Sequence, residues 1–326
     1  IALVRAKQLN VPVILGSATP SLESLHNADL KRYQRLALPN RAGDAEKAPY
    51  QIIDIKGQPL KAGVSEHALK LATQCLKRGE QVLFFMNRRG YAPVLLCHDC
   101  GWHGQCRHCD AHLTLHRDPV HLHCHHCDTH LPVPTHCPTC GSSDLRPVGQ
   151  GTERIEDALT ELFPKYPVVR IDRDTTRSGE RLQQQLRLIH EGKPCLLVGT
   201  QMLAKGHHFP HVTLVVIMDV DGGLFSGDFR GLEHTGQLID QVAGRAGRSE
   251  KRGHVLLQTH HPTHPALQLL VTKGYRALAD SILFERQLVE LPPFAYMAVL
   301  RAEAQHAIAA RMFLLDAKNT GEPLAE

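Results

Sequence analysis

The sequence predicts an α/β protein built on a parallel sheet, with a cysteine-rich insertion spliced into the sheet domain. Short apolar segments that are typical of buried strands alternate with amphipathic helical segments on both sides of residues 95–148. Eight of the ten cysteines fall between Cys97 and Cys140, where this alternation stops. The chain has 326 residues, of which 42% are hydrophobic and 21% charged, so it can bury at least one full core.

The net charge and the hydropathy pattern exclude few classes of protein. A formal net charge of +4 permits nucleic-acid binding without arguing for it, because a basic stripe can lie on a protein of modest total charge. The longest apolar stretch, Val212 to Met218, suits one buried strand and is far shorter than the roughly 20 residues that cross a bilayer. The chain opens at Ile1 with neither an initiating Met nor a signal peptide, which predicts a fragment.

The elements before the insertion follow in order from the hydrophobic pattern. A strand is predicted at Val11–Leu15 and a helix from Leu22 onwards. Residues 39–63 contain three prolines and three glycines, which makes this segment the best candidate for a linker. A helix over Glu66–Arg78 and a strand over Val82–Met86 complete this part of the chain.

After the insertion, strand and helix segments alternate again. The predicted elements are strands Val168–Ile171, Cys195–Val198, Leu214–Met218 and His254–Gln258, and helices Glu153–Phe163, Glu180–His190 and Thr235–Ala243. This alternation predicts parallel strands covered by helices. Cys75 and Cys195 lie inside apolar segments, and we expect both to be small core residues.

The eight clustered cysteines predict metal ligands. They form the four Cys-x-x-Cys pairs Cys97/Cys100, Cys106/Cys109, Cys124/Cys127 and Cys137/Cys140. Structural zinc takes four ligands in a tetrahedron, and a two-residue spacing lets one tight turn supply two of them. In a chain without secretory features, four such pairs indicate two zinc sites rather than disulfides.

Two pairings of these turns are open. Five residues separate Cys100 from Cys106, which is cramped for facing turns, whereas the fourteen between Cys109 and Cys124 suit a hairpin. The spacing favours a nested arrangement, and a cross-braced arrangement is the alternative. The nested arrangement assigns Cys97, Cys100, Cys137 and Cys140 to the first zinc, and Cys106, Cys109, Cys124 and Cys127 to the second.

Histidine is the other unusual feature of the insertion. Eleven of the 23 histidines lie between Cys97 and Cys140. With eight thiolates available, we expect these histidines to be surface groups rather than ligands. Those at residues 121–126 could contact phosphates when protonated.

Three segments outside the insertion have patterns that suit phosphate binding. In Leu197–Gln201 and in Gly149–Glu153, a Gly-Thr pair precedes a helix, where free N–H groups and a hydroxyl can hold a phosphate; plain N-capping is the alternative. The segment Gln241–Arg248 carries Arg245 and Arg248 between glycines. Paired guanidinium groups suit a transferring phosphoryl group, and solvated surface arginines are the alternative.

These segments resemble the motifs of superfamily 2 helicases. Gly16–Pro20 resembles motif III, Val198–Phe209 resembles motif V, and Gln241–Arg248 resembles motif VI. Together with the eight-cysteine insertion after Phe84–Tyr91, they make the chain similar to the replication-restart helicases of this superfamily, the PriA family. The resemblance covers nearly the whole chain.

The resemblance implies a domain organisation. Residues 1–60 would be the end of helicase lobe 1 and a linker, and residues 61–94 and 149–290 would form lobe 2 with its RecA-like fold. Residues 95–148 would be the zinc-binding insertion, and residues 291–326 would begin a truncated C-terminal domain.

The resemblance also implies an activity. It points to a bacterial, cytoplasmic, ATP-dependent 3′→5′ DNA helicase that recognises stalled forks and D-loops and initiates primosome assembly. Its partners would be forked and single-stranded DNA, single-stranded-DNA-binding protein and primosome loading proteins, and its cofactors two Zn²⁺ with ATP and Mg²⁺. The implied site residues are Arg245 and Arg248 as arginine fingers, Gly206 and Gln241 at the nucleotide, and Thr152, Thr200, Arg88 and Thr19 at the DNA, with Thr19 also linking hydrolysis to lobe movement.

Two departures from the family pattern set an expectation for this chain alone. No segment reads G-x-x-x-x-G-K-[ST], and no Asp-Glu pair for magnesium is present. The resemblance puts both in the first lobe, so we expect the chain alone not to hydrolyse ATP. The alternative from another class is a non-enzymatic, zinc-dependent DNA- or protein-binding scaffold, in which Arg245 and Arg248 would contact backbone phosphates.

Overall fold

The structure is a computed structural model that separates into two compact units, Ile1–Ile282 and Leu283–Glu326. It describes residues 2–38, 48–86, 93–109, 111–117, 119–148, 152–171, 179–200, 209–218, 220–246, 253–298, 300, 302, 304 and 306–321. None of the helices within these ranges is long and apolar enough to cross a membrane.

The described chain contains both element types in alternation. The strands are β1 (Tyr50–Asp54), β2 (Leu60–Lys61), β3 (Val64–Ser65), β4 (Gln81–Phe85), β5 (Leu95–Cys97), β6 (Thr114–Arg117), β7 (Val120–His123), β8 (His130–Leu131), β9 (Leu145–Pro147), β10 (Val168–Ile171), β11 (Leu196–Gly199), β12 (Val212–Ile217) and β13 (His254–Thr259). The helices span Ala2–Leu9, Leu22–Asp29, Glu66–Lys77, Thr152–Leu162, Gly179–His190, Asp221–Leu224, Gly231–Ala243, Pro265–Lys273, Tyr275–Leu288 and Ala307–Gly321.

Six parallel strands form the central sheet of the first unit, in the order β1–β13–β12–β4–β11–β10. This confirms the predicted α/β fold. Every residue of β4 and β12 is buried, as expected of parallel strands whose two faces are both covered. Their sequences, QVLFF and VTLVVI, are therefore almost continuously apolar.

The helix Glu66–Lys77 shows how the sequence builds the core against this sheet. The Ser65 hydroxyl caps it by accepting a hydrogen bond from the backbone N–H of Ala68. Its buried face contributes Ala68, Ala72, Cys75 and Leu76 to one apolar cluster with β4, β12 and the helix Thr152–Leu162. Cys75 and Cys195 are both buried, as predicted.

The cysteine-rich segment leaves the sheet domain and returns to it at one place. Strands β5 and β9 pair antiparallel, with Leu95 opposite Pro147 and Cys97 opposite Leu145. Between them, β6, β7 and β8 form a small antiparallel sheet. Its apolar core is slight: the buried members are Leu95, Cys106, Leu113, Leu122 and Cys124.

Two expectations about the first 60 residues are wrong. Val11–Leu15 is not a strand: it is irregular and exposed, and Ile14 is 86% exposed. A strand needs a neighbour for its backbone hydrogen bonds, and none of the described strands lies beside this segment. Conversely, β1 lies inside the expected linker and pairs in parallel with β13, so the sheet domain begins before residue 61.

Candidate functional site

The structure gathers the eight clustered cysteines into two groups of four. Cys97, Cys100, Cys137 and Cys140 form the first group, and Cys106, Cys109, Cys124 and Cys127 form the second. These are the sets that the nested arrangement requires. The Sγ atoms of Cys97 and Cys140, and those of Cys100 and Cys137, are 3.6 Å apart. In the second group the shortest separation, between Cys109 and Cys124, is 3.3 Å.

These separations fit a tetrahedral ion. Four sulfurs at the usual Zn–S distance of about 2.3 Å would lie roughly 3.8 Å from one another. All eight cysteines are free thiols, and the separations far exceed the S–S bond length of about 2.05 Å. Each group could therefore hold one metal ion, and a set of four thiolates suits zinc.

All four turns share one backbone pattern. The N–H of the first cysteine donates to the carbonyl five residues ahead: Cys97 to Trp102, Cys106 to Ala111, Cys124 to Thr129 and Cys137 to Ser142. Backbone N–H groups also donate to sulfur, as from Trp102 to Cys100 at 3.4 Å. These hydrogen bonds shape the turn that carries each pair of thiols.

After three of the pairs, the next residue turns the chain back. Gly101 and Gly141 take positive φ values of 80° and 76° there, a region that glycine enters freely. Asp128 takes the same place at φ 60°. Hydrogen bonds from the Thr129 side chain and backbone lower the pKa of the Cys127 thiol to about 6.

A buried polar chain joins the insertion to the sheet domain. Asp221 Oδ2 accepts from the backbone N–H of His260 at 2.9 Å and lies 2.7 Å from Nδ1 of the same residue. His260 Nε2 lies 2.9 Å from His98 Nδ1, and His98 Nε2 lies 2.8 Å from the carbonyl oxygen of Gln58. Asp221 and His98 are each 3% exposed, so this contact is closed to solvent.

The ends of this chain determine how many protons it holds. The Gln58 carbonyl can only accept, and the Asp221 carboxylate also accepts. Three hydrogen bonds between two accepting ends need three N–H protons, one more than two neutral imidazoles carry. When His98 and His260 together carry that third proton, His260 and Asp221 form a buried ion pair.

Aromatic stacking extends the same contact. The His103 ring stacks on Phe225 with centroids 3.9 Å apart and planes 18° apart. Burial, followed by the neighbouring His112, lowers the pKa of His103 to about 4, which keeps the ring neutral and suited to stacking. His261 Nε2 also lies 2.7 Å from the Gly101 carbonyl oxygen, so the first cysteine turn contacts the sheet domain directly.

Sequence reasoning missed this contact, although one signal for it was available. Strands β12 and β13 are neighbours in the sheet, so the residues after their carboxyl ends, such as Asp221 and His260, meet at one edge. Nothing in the pattern indicated that His98, inside a cysteine turn, would complete the chain.

The segment Gly16–Pro20, which resembles motif III, is hydrogen-bonded to the helix Gly231–Ala243. This helix runs into Gln241–Arg248, the segment that resembles motif VI. Gln241 Nε2 donates to Thr19 Oγ1 at 2.8 Å, and the backbone N–H of Leu22 donates to Glu233 Oε1 at 3.1 Å. The Tyr275 hydroxyl donates to the Pro20 carbonyl at 2.8 Å. Glu233 is 1% exposed, so this contact is buried as well.

The expected site residues are placed unequally. Thr19 and Thr200 are 4% and 2% exposed, so in this structure neither hydroxyl is open to a DNA phosphate, contrary to expectation. Thr200 follows β11 at the carboxyl edge of the sheet. Arg245 is half-buried in the turn after the helix Gly231–Ala243, four residues beyond Gln241. Thr152 begins its helix, whereas Arg88, Gly206 and Arg248 lie outside the described residues.

Comparison with known proteins tests the family resemblance. Residues 148–250 match the helicase conserved C-terminal domain. Over 307 residues the chain is 49% identical to the replication restart protein PriA of Haemophilus influenzae, covering 94% of this chain and 42% of that protein. It is 39% identical to the PriA of Bacillus subtilis over 303 residues, covering 92% of this chain and 38% of the relative. The chain is a relative of the PriA proteins. This confirms the resemblance predicted from its motifs.

The match covers less than half of each PriA relative, which limits what it supports about this chain. The chain spans about two fifths of the length of the PriA relatives described above. Among solved structures, S. cerevisiae Dbp5 bound to RNA and ADP BeF3 matches at 15% identity with a TM-score of 0.42, covering 96% of this chain and 57% of that one. At that score the likeness adds nothing to the assignment, which depends on the PriA relatives.

Proposed function

We propose that this chain supplies the second motor lobe and the metal-binding insertion of an ATP-dependent 3′→5′ DNA helicase for replication restart. In this proposal the whole protein recognises stalled forks and D-loops in the bacterial cytoplasm and initiates primosome assembly. It works there with single-stranded-DNA-binding protein and primosome loading proteins. The observation that carries the proposal is identity of 39–49% to PriA relatives across more than nine tenths of the chain.

The motor role gives the described contacts a purpose. Arg245 and Arg248 would complete the ATP site of the whole protein as arginine fingers, near Gly206 and Gln241, with Mg²⁺ held by the other lobe. The Gln241–Thr19 hydrogen bond ties the helix that precedes Arg245 to the segment resembling motif III. A movement of the arginines on hydrolysis would therefore pull on Thr19. We assign Thr19 to this link, and Thr152 and Arg88 to contacts with DNA.

The insertion would hold two Zn²⁺ ions, one in each cysteine group. Four thiolates per ion, set on turns that are already hydrogen-bonded, form a closed structural site without an open position for substrate. Zinc there supplies folding free energy to a segment that has little apolar core. The insertion then presents a folded surface to DNA or to a primosome partner.

The test is DNA-stimulated ATP hydrolysis by this chain alone and by the chain fused behind the N-terminal portion of the Haemophilus influenzae relative. We expect no hydrolysis by the chain alone and clear hydrolysis by the fusion. In the fusion, Arg245→Ala should lower hydrolysis by about 10³-fold or more while leaving affinity for forked DNA nearly unchanged. Arg187→Ala, which changes an exposed arginine of the same sheet domain, is the matched control and should leave both properties unchanged.

Either of two results would overturn the motor assignment. The first is a fusion that binds forked DNA without hydrolysing ATP. The second is an Arg245→Ala variant that loses DNA affinity and hydrolysis in parallel. Both would make the arginine a phosphate-binding group and favour the scaffold.

A further inference from the structure

The small sheet of the insertion has two unlike faces. Leu115 on β6 pairs with Leu122 on β7, which pairs with Leu131 on β8, and this face packs on the core around the second cysteine group. Side chains alternate along a strand, so the neighbouring residues point the other way. On that outer face, His116 pairs with His121 and His123 pairs with His130. We call His116, His121, His123 and His130 the histidine face.

The rings of the histidine face are close enough to share an ion. One ring nitrogen from each of His116, His121 and His123 lies within 4.8 Å of the other two. His123 also forms a second such group with Asp128 and His130.

Hydrogen bonds already orient two of these rings in the manner of metal ligands. His121 Nδ1 lies 2.7 Å from the Pro119 carbonyl oxygen, which can only accept, so Nδ1 carries the proton and a neutral ring leaves Nε2 as a lone pair. His123 Nε2 lies 2.9 Å from Asp128 Oδ1. A carbonyl or carboxylate behind the imidazole is the usual support for a metal-binding histidine.

The same crowding disfavours phosphate as the ligand. Burial, followed by the neighbouring His121 and His123, lowers the pKa of His116, which favours the neutral form of the ring. A neutral imidazole offers a lone pair to a metal ion and no charge to a phosphate. The eight cysteines are fully assigned to the two other groups, so the histidine face is chemically separate from them.

We propose that the histidine face is a third metal site, in which His116, His121 and His123 bind a divalent transition ion of the class that prefers imidazole. Zn²⁺, Ni²⁺ and Cu²⁺ belong to this class. Three imidazoles leave a coordination position for water or for a partner's ligand, in contrast to the closed cysteine sites. The site is partly exposed and would therefore exchange its ion far more readily than they do.

The experiment titrates Ni²⁺ into the tag-free, zinc-loaded 326-residue chain by calorimetry and counts both metals by elemental analysis after desalting. We expect one Ni²⁺ per chain in the calorimetric titration, and two Zn²⁺ retained after desalting. The double variant His116→Gln/His121→Gln should lose at least about tenfold in Ni²⁺ affinity and still retain two Zn²⁺. The matched control is His108→Gln/His136→Gln, which changes two exposed histidines of the insertion outside the histidine face and should bind Ni²⁺ as the parent does.

Three outcomes would overturn the proposal. One is equal Ni²⁺ affinity in the parent chain and the His116→Gln/His121→Gln variant. Another is a loss of affinity in the His108→Gln/His136→Gln control as large as in the test variant. The third is Ni²⁺ uptake matched by an equal loss of Zn²⁺, which would assign the binding to the cysteines. Because zinc retention is counted in every variant, a folding failure is recognised and leads to repetition with His121→Gln alone.

Discussion

The central sheet and the cysteine insertion reach a stable fold by different routes. In the sheet, Phe84 and Phe85 are fully buried, and β4, at the centre, lies between β11 and β12 with every residue covered. In the insertion the buried apolar cluster has five members, and two of them, Cys106 and Cys124, belong to the second cysteine group. Apolar burial therefore accounts for the sheet, whereas the insertion has little apolar core beyond the cysteines that could bind metal.

The boundary between the two regions is as distinctive as their interiors. It is made of a buried hydrogen-bond chain through Asp221, His260 and His98, and of the stack between His103 and Phe225. Polar contacts of this kind are directional, so they fix one orientation of the insertion on the sheet. The insertion is thus a separately stabilised unit held in a defined place.

The largest predicted effect comes from replacing one cysteine of the insertion. It tests whether the insertion depends on metal while the sheet does not. Cys109→Ser should release the ion of the second group and lower the metal content from two Zn²⁺ to one, because a tetrahedral thiolate site does not survive the loss of a ligand. Structural zinc contributes on the order of 10 kcal/mol in small fingers, so residues 106–131 should unfold. Hydrogen exchange read peptide by peptide should show lost protection there and unchanged protection in β4 and β12.

Cys195→Ala is the matched control, because Cys195 is a buried cysteine of the sheet domain that belongs to neither group. It should retain both ions. If hydrogen-exchange protection in the Cys109→Ser variant were lost in β4 as well as in the insertion, the two regions would form one cooperative unit.

The sequence predicted the sheet well because its signals are local. The almost continuously apolar sequence of β12 and the amphipathic pattern of the helix Glu66–Lys77 each indicate burial. Both patterns can be recognised from residues that are neighbours in the sequence. It failed at Val11–Leu15, whose apolar pattern suits a strand but which has no pairing partner among the described strands.

The candidate site, too, could be predicted only where its signals are local. Cysteine spacing predicted the two groups, because the turn that holds each pair is local. The chain Gln58–His98–His260–Asp221 joins four distant parts of the sequence, and no short pattern encodes it. The hydrogen bond between Gln241 and Thr19 is equally non-local, because the two residues are 222 positions apart in the sequence.

A smaller effect tests the boundary between the regions. Asp221→Asn keeps the side-chain shape but removes the carboxylate that faces His260 Nδ1 at 2.7 Å. We expect a cost of about 1.5–3 kcal/mol, the usual range for a hydrogen bond to a charged group. Proteolysis should then cut more quickly in the ribbon at residues 95–97 and 145–147, while the zinc content stays at two.

Asp29→Asn is a suitable control, because Asp29 is half-exposed and its ion pair with Arg276 is long, at 3.6 Å. It should change neither stability nor cutting. A loss of zinc in Asp221→Asn would contradict the separation between docking and folding of the insertion.

The smallest predicted effect concerns one hydrogen bond outside the insertion, between Gln241 and Thr19. Removing the Gln241–Thr19 hydrogen bond by Gln241→Ala should cost about 0.5–1.5 kcal/mol of unfolding free energy, the net value of one neutral hydrogen bond. Thr19→Val keeps the side-chain volume, and in a double-mutant cycle the two changes together should cost less than their sum, because they remove the same bond. The coupling energy should be equal in zinc-loaded and chelated protein, since neither side chain contacts the insertion in any described hydrogen bond. A coupling energy that disappears on chelation would mean that the metal ions stabilise the motor contact through the docked insertion. The two regions would then be energetically one, although their interiors are built differently.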